Sequence, residues 1–560
     1  MQTPLTTSTT TQNHNLSAIA LAVLLAVPGL SIAQYTSSNR DILVPNTGSW
    51  SSGGVLLGGT SFVNLGLQGV GRVAANSIDP ATGETLGSIS DMQISGFTNN
   101  RNGSWSGTFN FLPDRGYNSG STFSNYAARI NTFDFSFTPY TAATPTAAQN
   151  QIAMTFAGST RFTYDHDSNA ATASVFSSGL LANGPATTMF GTKVPTTSGN
   201  TIQSDGTVNN RLTMDAEGLI LDNRVGKAGS GWVGDEYGAY IYRFNGSKEL
   251  VGLLKLPPAL VPHSPVGAIN FNANPPNNGR RINQGMEGIA QSPDGTKVFG
   301  LLQSATLQDS GSGAQGRSNT RLVVYDVSAS DTPGAPSAQY VIQLPRIDDN
   351  GGTPAVNRTG AQSAIIALNN KQLLILSRDG NGRGVEDVGA PVPVFKSILL
   401  ADLTNATNLT GLDAEGAQVA PGGVLSASVT PIQWTEALNM LGKLGAGASS
   451  ELSKFGLNTS AGPTNSNSIS EKWEALGLVP VGDGSSDYFL FVGNDNDFMS
   501  RSGKLLDANG VLQNYDAGIE NDTMVLAYRV SAVPEPESYA MLLAGLALLG
   551  AVAQRRKSRK

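Results

Sequence analysis

Acidic residues border the strand-like runs of this chain at recurring positions. Asp114-Arg115-Gly116 follows Thr108–Leu112, and Asp235-Glu236 follows Trp232-Val233-Gly234. Asp215 and Glu217 precede the aliphatic pair Leu219-Ile220, and Glu287 precedes Gly288-Ile289. Arg378-Asp379-Gly380 follows Leu373–Leu376, and Asn494-Asp495-Asn496-Asp497 follows Phe489–Val492. Carboxylates, amides and carbonyls together suit calcium, which takes roughly six to eight oxygen ligands. Arginine beside them suits a phosphate or carboxylate, which a guanidinium grips with two parallel hydrogen bonds. On this reading Asp114, Arg115, Glu217, Glu287 and Arg378 are the catalytic candidates. Asp215, Asp235, Glu236, Asp379, Asp495 and Asp497 are the candidate metal ligands. Ordinary turn chemistry competes with this reading, because Asp and Asn end strands simply by bonding to nearby backbone. Convergence separates the two. Asp114, Glu217, Asp235, Glu287 and Asp495 are expected to lie together with a compensating positive charge among them.

Other hydrolytic designs lack their parts. The chain has no Cys, which removes thiolate metal sites, disulfides and a Cys nucleophile. No Gly-x-Ser-x-Gly elbow occurs. Of the three His, His14 precedes an apolar leader, His166 sits in Tyr164-Asp165-His166-Asp167, and His263 lies between prolines. A three-His zinc site is therefore excluded once the leader is removed. Asp165-x-Asp167-x-Asn169 opens like an EF-hand loop, but Ala170 replaces the required Gly and Phe176 the acidic twelfth residue.

The elements that must carry these residues read as short strands. Ser106–Leu112, Thr132–Thr138, Tyr240–Phe244, Lys297–Leu302, Leu322–Tyr325, Gln372–Leu376, Tyr488–Val492 and Met524–Tyr528 are rich in aliphatic and aromatic residues and are separated by Gly, Asn, Asp and Ser. Abundant Gly (65) and Pro (28) with only 14% charged residues suit many turns and disfavour long surface helices. Brief helices are expected only in 145–160, 435–460 and 470–476. Asp215-Ala216-Glu217-Gly218-Leu219 and Gly285-Met286-Glu287-Gly288-Ile289 share Glu-Gly-aliphatic, an internal echo. Repeated strand–turn–strand units predict an all-β chain with a β-propeller-like domain, a sandwich with long loops being the alternative. In a propeller, strand ends converge at the mouth of a central channel.

The two ends read as addresses. Residues 16–33 are apolar and end in Ser31-Ile32-Ala33, a small-x-small cleavage site, although residues 1–15 carry no Lys or Arg. The expected division is a signal helix at 1–33, an extension or first strands at 34–90, the propeller-like domain at 91–530 and a sorting tail at 531–560. That tail runs Val533-Pro534-Glu535-Pro536, then an apolar stretch from Tyr539 to Ala553, then a basic end. The stretch is shorter than the roughly 20 residues of a full span. It resembles the PEP-CTERM sorting signal, which implies a Gram-negative bacterium, an exosortase-type processing enzyme as partner, and only transient membrane contact through the apolar sorting helix. Removing the five basic residues between Arg555 and Lys560 takes the net charge from −7 to −12. So acidic a body disfavours nucleic acid, which is held mainly through Lys and Arg.

The order of Pro113-Asp114-Arg115-Gly116, Asp215-Ala216-Glu217-Gly218, Gly234-Asp235-Glu236, Asn283-Gln284-Gly285-Met286-Glu287-Gly288, Ser377-Arg378-Asp379 and Asn494-Asp495-Asn496 resembles the phytase-like, "esterase-like activity of phytase" family. The resemblance spans about residues 91–530 and implies a propeller-like hydrolase of phosphate or other esters. The segments 34–90 and 425–475 fit the pattern less clearly. The expected function is an exported, calcium-assisted ester hydrolase at the cell surface or in the biofilm matrix. The rival is a non-catalytic propeller that binds matrix polysaccharide or a partner protein, since propellers host both roles. Processing has its own check. Intact-mass analysis of the native extracellular protein is expected to show residues 539–560 missing, and their recovery would refute temporary retention.

Overall fold

In the computed structural model, residues 54–534 are described except for 120–121, 167–172, 199–209, 265–266, 273–275, 350–355, 385–390, 445–449 and 460–463, together with strand pairs at 41–42 and 49–50. The proposed signal and sorting helices lie outside these residues. The apolar runs pair antiparallel with one another and give five sheets of four or more strands. The first blade holds Asp91–Asn99, Trp105–Leu112, Arg129–Phe137 and Ile152–Arg161. The second holds Ala216–Leu221, Gly231–Asp235, Ile241–Phe244 and Glu249–Leu254, extended at its edge by Thr163–Tyr164 and Val175–Phe176. Met286–Gln291, Lys297–Leu302, Asn319–Asp326 and Ala338–Gln343 form the third. Ala361–Ala367, Gln372–Arg378, Lys396–Asp402 and Gln433–Asn439 form the fourth.

The fifth blade closes the ring with strands from both ends of the domain. Lys472–Pro480 and Asp487–Asp495 pair in sequence, and Thr523–Pro534 follows. Thr60–Val73 then adds antiparallel to Thr523–Pro534, from Thr60 opposite Pro534 to Val73 opposite Thr523. The first strand of each blade lines the axis, and these five strands neighbour one another around the ring. The architecture is a five-bladed β-propeller.

Core side chains fill the wedges between blades. Leu374, Leu376 and Leu400 of the fourth blade pack with Phe62, Leu490 and Tyr528 of the fifth. Between the first and fifth blades the wedge is aromatic. Phe109 stacks on Phe135 at 3.8 Å, and Phe137 meets Phe489 edge-on at 5.0 Å. Nearer the axis the blades approach too closely for a side chain. A Cβ on Gly218 would lie 2.7 Å from Ile289 Cγ1 and 2.9 Å from the Glu287 carbonyl oxygen of the next blade.

All eight expected runs coincide with strands, Thr138 and Tyr240 lying one residue outside theirs. Among the described residues the expected helices do not form. Ile152–Arg161 and Gln433–Asn439 are strands, Leu452–Phe455 is one 3-10 turn, and 470–476 runs into the innermost strand of the fifth blade. Pairing overrides local propensity there, because a strand in a ring gains backbone partners that a lone helical turn cannot supply. Among the described residues no helix is long and apolar enough to cross a membrane.

Closure is testable by truncation. A chain of residues 91–522 loses both closing strands and leaves Asp487–Asp495 as a bare edge. It is expected to aggregate and to show no cooperative melt by circular dichroism, whereas residues 34–534 melt cooperatively.

Candidate functional site

The site begins with a repeated irregularity in the inner strands. Pairing slips by one residue between Ala216 and Gly218, between Met286 and Gly288, between Gln362 and Ala364, and between Trp473 and Ala475. The bulged residues are Glu217, Glu287, Ser363 and Glu474. A bulge re-aims a side chain that the pleat would otherwise direct into the blade. Here it brings three glutamates of three blades together, with carboxylate oxygens of Glu217, Glu287 and Glu474 within 4.8 Å of one another. Neighbouring connections supply the rest. Asp114 follows the second strand of the first blade, Asp215 precedes Glu217, and Asp497 follows the second strand of the fifth. Asp114, Asp215 and Glu217 form a second set of oxygens at the same spacing, and Asp114, Asp495 and Asp497 a third. Asp114 and Glu217 thus each belong to two sets. A cavity of about 570 Å³ opens over them, lined also by Glu236, Gln303 and Arg115.

Three cations stand among these carboxylates, each bound to one or more of them. Arg115 pairs with Asp215 and donates to Asn283 Oδ1 at 2.5 Å. Arg378 pairs with Glu474. Lys472 Nζ lies 2.5 Å from Asp497 and 3.2 Å from Asp495. Acid still exceeds base, since Asp114, Asp215, Glu217, Glu236, Glu287, Glu474, Asp495 and Asp497 face those three cations.

Burial and mutual repulsion therefore favour protonated carboxyls. Burial, then Asp215, holds Asp114 well above the ordinary carboxylate range. Burial, then the neighbouring acids Asp114 and Glu287, does the same to Glu217. Burial, then Glu236 and Glu474, raises Glu287. Burial lifts Asp215 and Asp495 to about 6, against the pull of Arg115 and Lys472 respectively. Glu236 rises to about 7 through burial, opposed by a hydrogen bond with Glu287 and by Arg115. Burial would lower Arg115 and Lys472, but the surrounding acids outweigh it and both are raised.

Asp215 Oδ1, Glu236 Oε1 and Glu287 Oε2 are buried and receive no hydrogen bond. Buried acceptors are rarely left so. A cation coordinated by oxygen alone would satisfy them, and the donor set matches calcium. The residues present fit such an ion.

Asp114, Glu217, Glu287 and Asp495 meet at the mouth, and Glu236, Asp215 and Asp497 join them. Asp235 and Asp379 do not serve the cavity. Asp235 accepts the backbone N–H groups of Asp215 (3.0 Å), Tyr237 (3.1 Å) and Gly238 (2.7 Å). Asp379 accepts those of Phe395 (2.8 Å) and Val394 and pairs at 2.8 Å with the fully buried Lys396. Both hold loops beneath the mouth. His263 lies elsewhere, with Nδ1 2.7 Å from the Val261 carbonyl oxygen. Glu474, Lys472, Arg317 and Arg358 line the cavity and were not anticipated. A signal for Glu474 existed: Trp473-Glu474-Ala475-Leu476 repeats the Glu-Gly-aliphatic echo with Ala in place of Gly.

The family described as "Phytase-like: Esterase-like activity of phytase" matches residues 92–498, and a PEP-CTERM protein-sorting motif matches 532–557. An uncharacterized secreted protein of Arthroderma benhamiae is 29% identical over 481 residues, covering 80% of this chain and 89% of the relative. Among solved structures, the Dos1 propeller aligns at 8% identity and TM-score 0.27, covering 83% of this chain and 94% of that one. A PQQ-bound aldose sugar dehydrogenase of Streptomyces coelicolor aligns at 10% and 0.26, covering 84% and 98%. The propeller assignment stands on the sheet connectivity rather than on these distant alignments. The sorting motif and the secreted relative mark an exported chain, and the motif implies processing by an exosortase-type enzyme.

The raised carboxyls fix the sign of the pH response. With metal chelated, the folded mouth binds protons that the unfolded chain has already released, so stability falls as pH rises from the ordinary carboxylate range near 4 to about 7. Arg115, Arg378 and Lys472, the cations facing these groups, reduce the effect without cancelling it. The melting temperature of chelated protein is expected to drop between about pH 5 and about pH 8, and calcium to restore it at the upper end. A flat profile without calcium would contradict the buried repulsion.

Proposed function

The chain belongs to the phytase-like, esterase-like-activity-of-phytase family, and we propose that its acidic mouth is the active site of an exported, calcium-assisted hydrolase of phosphate or other esters. The observation that carries this reading is the meeting of three carboxylate sets around a cavity, with oxygens of Asp215, Glu236 and Glu287 left unsatisfied. Glu217, Glu287, Glu474, Asp114, Asp215, Asp495 and Asp497 are the residues that would hold calcium. A bound calcium would polarise the ester's phosphoryl or carbonyl oxygen and offset the field that otherwise repels anions.

The chain's own residues supply proton handling and orientation. Burial raises both Glu236 and Glu287, and Glu236 changes charge close to neutrality. Glu236 lines the cavity and its carboxyl is raised to about 7, which suits it to take a proton from water and return it to a leaving oxygen. Arg115 and Arg378 orient Asp215 and Glu474 through their ion pairs. The destination on this reading is the cell surface or biofilm matrix of a Gram-negative bacterium.

A panel of phosphate and carboxylate esters, assayed with calcium and with chelator, tests the proposal. Turnover is expected with calcium, falling roughly 100-fold or more in Glu236→Gln. Glu217→Gln should also lose the calcium-dependent rise in melting temperature, since a ligand bound only by the folded state stabilises it. No turnover of any ester under either condition would favour a propeller that binds polysaccharide or a protein.

A further inference from the structure

Every cation at the floor of the mouth is bound to carboxylate, so an anionic substrate must find its positive charge elsewhere. The rim of the same cavity supplies it. The 3-10 turn Ala314–Arg317 packs against the strand Arg358–Thr359, and Thr359 Oγ1 donates to the Gln315 carbonyl oxygen at 3.2 Å. This places Arg317 and Arg358 side by side on the cavity wall, with Ser304 and Thr359 nearby. Arg317 Nε is buried and donates to nothing, and among the described residues the Arg317 side chain forms no ion pair. Arg358 Nε pairs with Asp349 Oδ2 at 2.6 Å, while its Nη1 reaches over Gly380, 3.6 Å from where a Cβ would stand. Gly380 also lines the cavity.

Two adjacent guanidiniums repel each other unless an anion lies between them. Burial and then Arg358 lower the Arg317 pKa, and burial and then Arg317 lower that of Arg281 behind it. Planar guanidinium forks match the oxygens of a tetrahedral oxyanion and form charge-assisted bonds to it. We infer that Arg317 and Arg358 form an oxyanion subsite at the rim, which takes the phosphate or sulfate group of a charged ester. The inference rests on the hydrolase reading only in treating the bound group as part of a substrate. It assigns anion recognition to residues that the motif pattern did not single out. An oxyanion held there shares the cavity with the carboxylates, so the ester bond of a charged substrate lies in the same enclosure as they do.

Binding of inorganic phosphate and of sulfate to residues 34–534, measured by calorimetry at low ionic strength with chelator present, tests the subsite without any turnover. Wild type is expected to bind at least one of them and to bind acetate more weakly. Arg317→Gln and Arg358→Gln should each weaken binding roughly ten- to a hundredfold, as loss of a charge-assisted contact does. Arg529→Gln, which removes a remote ion pair to Asp483 and Asp487, should leave it unchanged. Equal affinity in all three variants, or no binding by folded wild type, overturns the subsite. Steady-state kinetics with calcium separates this outcome from failure of the hydrolase reading. The KM for a phosphate ester should rise in Arg358→Gln while that for an uncharged ester stays put. Arginine-dependent phosphate binding with no ester turned over would retire the hydrolase and keep the subsite. Turnover of uncharged esters with arginine-independent phosphate binding would do the reverse.

Discussion

Three glutamates on three separate bulges, Glu217, Glu287 and Glu474, are held where their charges repel one another out of water. Like charges in a buried setting interact strongly, so such a group persists only if protons, cations or fixed positive charge offset it. Each other feature of the mouth answers that demand in part. Arg378 neutralises Glu474, Arg115 neutralises Asp215, and Lys472 bridges Asp495 and Asp497. Glu236 and Glu287 remain as neighbouring carboxyls, each with a buried oxygen that receives no hydrogen bond. The remaining imbalance is what makes a cation or a proton a functional component rather than an ornament of the fold.

The scaffold has to be rigid enough to sustain this repulsion. Two devices provide rigidity. One is the aromatic wedge between the first and fifth blades, where Phe109, Phe135, Phe489 and Phe491 interlock. The other is the long pairing of Thr60–Val73 with Thr523–Pro534, which ties the ring shut. Polar links between blades add register. Asp91, at the start of the first blade's inner strand, accepts the backbone N–H of Leu219 in the second blade at 2.7 Å. Beneath the mouth, Asp235 and Asp379 fix loop backbones, so the carboxylates above them start from defined positions. Removing one partner of the buried Asp379–Lys396 pair would leave an uncompensated charge, commonly a loss of about 3–5 kcal/mol.

What was legible in the sequence follows the range of the interactions involved. Strands such as Lys297–Leu302 announce themselves because apolar residues and turn formers alternate within a few positions. Convergence of Asp114, Glu217, Glu287 and Asp495 was an expectation from strand ends, and the ring of blades brings them together. Asp235 and Asp379 share the same local pattern yet bond to neighbouring backbone, a distinction that depends on where each oxygen points. Glu474 was hidden because Lys-Trp-Glu-Ala-Leu is locally compatible with a helical turn, and only pairing with Asp487–Asp495 makes it a strand. Arg317 and Arg358 were invisible for another reason. One lies in a 3-10 turn and the other in a two-residue strand, and nothing in their own segments marks a cavity wall.

The fourth blade explains why the mouth has a direction. At the bulge where the second, third and fifth blades carry glutamate, it carries Ser363. A carboxylate there would continue the acidic arc. Serine interrupts it, and the cavity residues that the fourth blade and its leading strand contribute are Arg358, Thr359, Ala361, Arg378 and Gly380. The turn bearing Arg317 packs against Arg358–Thr359. The cavity thereby carries arginine at the fourth blade as well as carboxylate at the second, third and fifth. A field organised in this way orients a molecule that carries both an anionic group and a bond to be polarised, because only one arrangement satisfies both charges. A uniformly acidic ring would bind cations and repel the substrate; the serine of the fourth blade and the arginines beside it let one cavity accommodate both charges.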